Sequence, residues 1–263
     1  MATASMALRR TESAVPDTAV AAQEQKLLTE VAAKELLCAQ GIPVVPTRLA
    51  RSPAEAVRLA KQVGLPAALK VVSPDIIHKS DVGGVRLHLT SLTQVSKAYR
   101  DLLSQVRAHV PQAAIEGVSV QTMANPGIEV VAGLTRDRTF GPVVMFGLGG
   151  VFVEILNDVA FRVVPLRPKD ARAMIREIRG FPILQGYRGM PAVDLSAMED
   201  ILLKLSTLAE RHPEIGEIDL NPVFAYPAGA LVADARLVLT SSATVGNSPL
   251  PSAFVSGKHA TPS

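Results

Sequence analysis

Between residue 24 and residue 239, short strand-like runs come in adjacent pairs, separated by helical stretches that carry their own stop signals. That pattern constrains the chain more than any single motif. Paired strands with brief connections favour antiparallel hairpins, so the expectation is layered α+β structure rather than a doubly wound parallel sheet. Leu27, Val31, Lys34, Glu35 and Cys38 mark an amphipathic helix with Thr29 as a plausible N-cap, stopped by Gly41. Ile42 to Leu49 reads as a strand. Ser52-Pro53 opens a helix, Ala54 to Val63, that Gly64 closes. Ala67 to Val72 reads as a buried strand, Ser73 to Gly84 as a loop, and Val85 to Leu89 as the returning strand. Ser91 caps a helix to about Ala108. Val118 to Met123, Glu129 to Leu134 and Val143 to Phe146 read as strands, Pro168 to Arg179 and Leu195 to Arg211 as helices, and Ile215 to Asn221 and Leu231 to Leu239 as closing strands. Residues 1–23 and 240–263, rich in Ala, Ser, Thr and Pro, read as loose tails.

Several functions are disfavoured at once. Lys and Arg total 27 against 24 Asp and Glu, and aromatics make up 4% of residues, so no basic, aromatic surface for nucleic acid is expected. The longest apolar stretch, Gly141 to Leu156, is too short for a bilayer and is interrupted by Pro142 and Glu154. The single cysteine, Cys38, fits a reducing compartment and reads as a small buried hydrophobe; the expected location is cytoplasmic. Gly147-Leu148-Gly149-Gly150 lacks the third glycine of a dinucleotide fingerprint, with Phe152 in its place. Lys79-Ser80 lacks the glycine of a phosphate-binding P-loop. The five histidines have no zinc-site spacing.

Four blocks remain. In the first, Lys70 lies inside the apolar run Ala68-Leu69-Lys70-Val71-Val72. A buried ammonium needs an anion, and a nucleotide phosphate is one partner; a half-exposed strand with Lys70 in solvent is the equal alternative. The loop that follows carries His78, a candidate phosphate acceptor, and Gly83-Gly84, whose amides can approach phosphate. In the second, Asp219 and Asn221 share one face of a strand, and Asp234 lies on the next. Together they offer hard oxygen ligands of the kind Mg²⁺ takes. In the third, Gln121, Thr122 and Met123 end a strand before a short hinge suited to a planar base, and Glu129 can reach a ribose hydroxyl. In the fourth, Phe140 to Glu154 reads as strand, glycine turn and strand. Arg136, Arg138 and Arg162 flank it, facing either phosphates or solvent.

Taken in order, these blocks resemble the ATP-grasp β subunit of ADP-forming acetyl-CoA synthetases, a family related to succinyl-CoA synthetase β chains. The likeness runs from about Leu27 to Leu239 and is most specific over Ser73–Val85, Phe140–Leu156 and Glu217–Val223. It implies an ATP-grasp fold over 24–239, with an N-terminal lobe of about 24–120, a C-terminal lobe of about 121–239 and nucleotide between them. By the same likeness Lys70 contacts phosphate, with Gly83 and Gly84 nearby. Gln121, Thr122 and Met123 form the adenine hinge, and Glu129 is the acid after it. Asp219, Asn221 and Asp234 hold Mg²⁺, and His78 relays phosphate. The implied reaction is acid + CoA + ATP = acyl-CoA + ADP + phosphate. It needs ATP or ADP, Mg²⁺, and an α subunit with CoA-binding and phosphohistidine domains in a hetero-oligomer. A stand-alone ATP-grasp carboxylate ligase and a non-catalytic nucleotide-binding regulatory subunit are the alternatives.

Overall fold

The helices begin where the sequence offers caps. In the computed structural model, which describes residues 25–76, 78–150 and 158–240, Thr29 accepts the Ala32 amide at the head of α1 (Glu30–Ala39). Ser52 accepts the Glu55 amide at the head of α2 (Pro53–Val63), and Ser91 that of Gln94 at α3 (Leu92–His109). Each hydroxyl satisfies an amide that the first helical turn leaves unpaired. Among the described residues three further helices follow: α4 (Pro168–Glu177), α5 (Phe181–Leu184) and α6 (Leu195–Arg211), the last capped by Asp194.

The strands form two antiparallel sheets. The smaller contains β2 (Thr47–Ala50), β3 (Ala67–Val72), β4 (Val85–Leu89) and β5 (Gly117–Thr122), in the order β2-β5-β3-β4. The larger contains β1 (Gln25–Leu27), β6 (Ile128–Asp137), β7 (Gly141–Leu148), β8 (Val159–Val163), β9 (Ile215–Ala225), β10 (Ala230–Val232) and β11 (Ala235–Thr240). Its order is β1-β11-β9-β6-β7-β8, with β10 on β9. Each sheet has its own apolar core. Leu69, Val71, Val118 and Val120 pack with Leu59 of α2 and Leu102 and Val106 of α3. Leu134, Phe146, Ile218 and Leu220 pack with Leu202 and Leu205 of α6. Burial of this kind contributes about 25 cal/mol per Å² of apolar surface, so each sheet and its helices can hold together as a lobe.

The mixed α+β expectation holds, and the strand limits at Ala67–Val72 and Val85–Leu89 are as expected. Other boundaries differ for physical reasons. Leu27 belongs to β1, which pairs with β11, so the helix starts only after Thr29. The strand expected over Ile42–Leu49 is reduced to β2, because Val44 bridges to Val232 before the small sheet begins. β8 was not anticipated. The run Leu231–Leu239 is two strands, since Ala233 and Asp234 leave the ladder, with the Ala233 amide donated to the Pro222 carbonyl. The lobes also depart from chain order. β1 and α1 lie with the larger sheet, and Leu28, Ala33, Leu36, Leu37 and Ile42 enter its core. The small lobe is therefore an insertion of roughly 47–122. Cys38 is exposed, not buried, because the buried side of α1 is taken by Val31, Ala33, Lys34, Leu36 and Leu37. The expected tails, apart from Thr240, which ends β11, and Val151 to Glu154 of the fourth block lie outside the described residues.

Candidate functional site

β3 is buried along its whole length, yet only alternate residues enter the small-lobe core. Lys70 points to the opposite face, towards the larger lobe, at 7% exposure. Its Nζ donates to Glu30 Oε1 at 2.8 Å and to Asp234 Oδ2 at 2.8 Å. The solvent-facing alternative for Lys70 is thereby excluded. Its partners come from α1 and from the break between β10 and β11, both in the larger lobe.

Glu30 is the hub. At 4% exposure it accepts from Lys34 Nζ (2.8 Å) and Lys70 on one oxygen and from Lys79 Nζ (3.3 Å) on the other. Lys34, only 2% exposed, is held by four oxygens: Glu30, Thr47 Oγ1 at 3.1 Å, Gln121 Oε1 at 2.8 Å and the Ala233 carbonyl at 2.7 Å. Thr47 and Gln121 belong to the small lobe, so this one ammonium spans the seam. Burial pushes the Glu30 carboxyl up, but Lys70, Lys34 and Lys79 outweigh it and hold the group well below the usual carboxylate range. Burial pushes the Lys70 ammonium down, and Glu30 and Asp234 together more than reverse this, so its pKa is raised. For Lys34 burial wins: Glu30 supports the charge, but neighbouring Lys70 opposes it, and the pKa is lowered.

Beside this cluster lies a cavity of about 220 Å³, lined by Glu30, His78, Lys79, Asp219, Asn221 and Asp234 among others. A second, of about 330 Å³, adjoins it and shares His78, Lys79 and Asp234, with Lys70 and Ser80 in its wall. Five sequence-expected residues, Lys70, His78, Asp219, Asn221 and Asp234, thus meet in one place. Asp219 and Asn221 do share a face. The Asn221 amide donates to the Asp234 carbonyl at 3.3 Å, which ties the two strands at that point. Burial, then Glu217, raise the Asp219 carboxyl above its ordinary value; Asp234 adds to this and Arg236 opposes it. Asp219 and Asp234, the latter already paired with Lys70, line the cavity beside Asn221 and offer it oxygen ligands. Two carboxylates and an amide suit Mg²⁺, which takes its remaining ligands from phosphate and water. Among the described residues no group of three His, Cys, Asp or Glu stands close enough to bind a metal unaided.

The other expected residues lie differently. Gly83 and Gly84 serve the turn. The Gly83 amide goes to the Ser80 carbonyl and that of Gly84 to Lys79, so neither is directed at a phosphate. Gly83 has φ +66°, and a Cβ on Gly84 would come within 2.6 Å of Val71, which is why glycine is needed at both. The Gln121 side chain is drawn inward by Lys34 and Thr47. Thr122 pairs with Ala67, and the Met123 amide is donated to the Pro66 carbonyl. Glu129 lies exposed on β6 beside the glycine turn, its carbonyl accepting the Gly149 amide. A Cβ on Gly149 would meet the Glu129 backbone at 3.0 Å, so the third and fourth blocks touch there. Arg136 does not face phosphate. It donates to the carbonyls of Ala209, His212 and Ile215, closing the end of α6. Arg162 is paired with Glu177.

Sequence reasoning missed Glu30 and read Lys34 only as part of a helix. The available signal was a Glu–Lys pair four residues apart within the otherwise apolar segment Glu30-Val31-Ala32-Ala33-Lys34, where a solvated pair is out of place.

Comparison with known proteins identifies the family. The ATP-grasp domain family matches residues 19–239. The β subunit of ADP-forming acetate–CoA ligase I from Pyrococcus furiosus is 47% identical over 216 residues, 82% of this chain and 93% of that protein. ADP-forming acetate–CoA ligase I from Archaeoglobus fulgidus is 47% identical over 204 residues, 78% of this chain but only 30% of that longer protein. Among solved structures, the dinucleotide-forming acetyl-coenzyme A synthetase 1 of Ca. Korarchaeum cryptofilum, in complex with coenzyme A, Ca-AMPCP and HgCl⁺, superimposes with a TM-score of 0.80. It is 50% identical and covers 81% of this chain and 93% of that one.

Proposed function

The chain belongs to the ATP-grasp family, among the β subunits of ADP-forming acetate–CoA ligases, and on that premise we propose that it binds ATP or ADP between its lobes and transfers phosphate for the reaction acid + CoA + ATP = acyl-CoA + ADP + phosphate. The observation that carries this reading is the meeting of Lys70 and Asp234, from opposite lobes, at 2.8 Å beside the cavity. Phosphoryl transfer needs positioning and charge neutralisation more than covalent chemistry. Lys70 and Lys79 supply fixed positive charge to the phosphates. Asp219, Asn221 and Asp234 would hold Mg²⁺, which when bound neutralises phosphate oxygens. Gln121, Thr122 and Met123, with Glu129 beyond them, take the base and ribose. For Met123 this leaves the carbonyl rather than the amide, and Gly83 and Gly84 shape the loop rather than cradle the phosphate.

His78, exposed and bordering both cavities, is placed to accept the γ-phosphoryl group and pass it to a histidine on a partner. That partner is an α chain carrying the CoA-binding and phosphohistidine domains, and the assembly is a hetero-oligomer. The far greater length of the Archaeoglobus relative supports a need for such further domains. A cytoplasmic location is part of the proposal, in keeping with the single cysteine.

The test has two stages. Calorimetric titration of the purified chain with Mg·ADP should give saturable binding; its absence would refute the reading. Incubation of the chain and its CoA-binding partner with γ-labelled ATP should then place label on histidine. A His78→Ala chain that retains full synthetase activity would remove His78 from the relay while leaving the rest of the proposal intact.

A further inference from the structure

We infer, building on the nucleotide reading above, that Glu30 is a positioning residue for phosphoryl transfer, acting on the phosphates through Lys70 and Lys79, with Lys34 as its anchor. The carboxylate is buried and negative, so it is unsuited to meet a phosphate directly. Its two oxygens instead fix two ammonium groups that border the cavities: Lys70 on Oε1 and Lys79 on Oε2. These lysines come from different elements, β3 and the loop after it, and neither is aligned by the other. A single rigid acceptor sets the spacing between them. The acceptor is rigid because Glu30 lies in the first turn of α1, and Lys34, one turn on, binds the same oxygen that Lys70 uses.

Lys34 extends the arrangement across the seam. An ammonium has three N–H bonds, and four oxygens compete for them. Two of these, on Thr47 and Gln121, stand where the small lobe leaves and rejoins the larger one, and the fourth is the carbonyl next to Asp234. The charge count points the same way. Lys34, Lys70 and Lys79 bring three positive charges against Glu30 and Asp234, leaving one in excess within the ionic cluster. Without the carboxylate the three ammonium groups would repel one another, and Lys70 would be left with Asp234 alone.

A purely structural role makes a different forecast. If Glu30 merely balances buried lysines, removing it together with one lysine should restore everything. Glu30→Gln is expected to lower the melting temperature. Glu30→Gln/Lys34→Met, which deletes one buried pair, is expected to recover most of that loss. Positioning requires that single-turnover transfer from γ-labelled ATP, measured in the complex with the CoA-binding partner, stays down about 100-fold in the double variant. The Kd for Mg·ADP should shift far less. Glu30→Asp keeps the charge but shortens the reach by one methylene. It should fold normally and lose about tenfold in transfer rate. Wild-type transfer rates in the Glu30→Asp chain, or recovery of transfer together with stability in the double variant, would overturn the inference alone. Failure of the wild-type chain to bind Mg·ADP would overturn the nucleotide reading and this inference together.

Discussion

The two lobe cores and the seam between them are built on opposite principles. In the cores, Leu69, Leu102, Phe146 and Leu205 are buried among other apolar side chains, where shape and volume decide stability. In the seam, Glu30, Lys34, Lys70 and Asp234 are buried or half-buried and charged, and each is tolerated only because the others are present. A core gains stability from burial itself. A buried ionic cluster usually gains little over a well-packed apolar one, and it is strongly destabilised when a single member is lost. The contrast separates what holds the lobes together from what they are proposed to do: the cores specify two lobes, and the seam gathers the charge that the proposed phosphate site needs.

The sharpest attempt to break this contrast is Lys70→Met. Removing the ammonium leaves Glu30 and Asp234 without their shared partner. We expect about 3–5 kcal/mol of lost stability in urea unfolding, together with loss of phosphate transfer. An unchanged unfolding midpoint would mean that the seam is not coupled to folding. Next comes Leu202→Ala in the larger core, expected to cost about 2–5 kcal/mol through cavity formation. Its Kd for Mg·ADP, measured well below its melting temperature, should stay near wild type. If affinity fell in step with stability, core and seam would not be separable. Arg136→Lys should be milder. The side chain ties the end of α6 to the start of β9 through three carbonyls away from the cluster, and its burial is incomplete, so roughly 1–2 kcal/mol is expected, with nucleotide affinity unchanged. A large loss of affinity would return Arg136 to the phosphate site.

The smallest expected signal is in pH dependence. The Glu30 carboxyl is depressed in the folded chain relative to the unfolded value of about 4.3. A group of this kind adds stability that is fully present above the unfolded pKa and is lost as pH falls through the folded one. Between neutral pH and about pH 5 Glu30 should therefore contribute no slope. Below about pH 4.3 wild-type stability should fall more steeply than that of Glu30→Gln. Parallel acid-unfolding curves for the two chains would deny Glu30 its ionised partnership.

The same division explains how far the sequence could be read. Local signals fixed the helices of the small lobe: Ser52-Pro53 with Gly64, and Ser91, are caps that act within a turn of themselves. The strand bearing Lys70 was bounded correctly because its apolar run is short and ends in Ser-Pro. Leu27 was assigned to a helix because its pairing partner, Val238, lies at the far end of the chain. β8 carries Phe161 and Arg162 on a sheet edge; Asn157-Asp158 before it and Pro165 after it are turn residues, but only its register with β7 defines the strand. Lys70 and Asp234 could be nominated from residue type and family likeness. Their common neighbour Glu30 gave a weaker signal, because a glutamate in the first turn of a helix usually needs no explanation beyond the helix dipole, and only its pairing with Lys34 in an apolar segment sets it apart. The glycine pair was a candidate phosphate cradle on composition, and only the destination of its amides shows it shaping the loop instead.

Thr47 and Gln121 stand opposite one another in the small sheet, at the two places where the chain passes between lobes. A polypeptide that departs and returns at neighbouring points leaves behind a host whose own ends were already adjacent. Such a module can be exchanged, lengthened or trimmed with little disturbance to the remainder. The seam lysine that grips both roots would then be the inherited fitting that any replacement has to match.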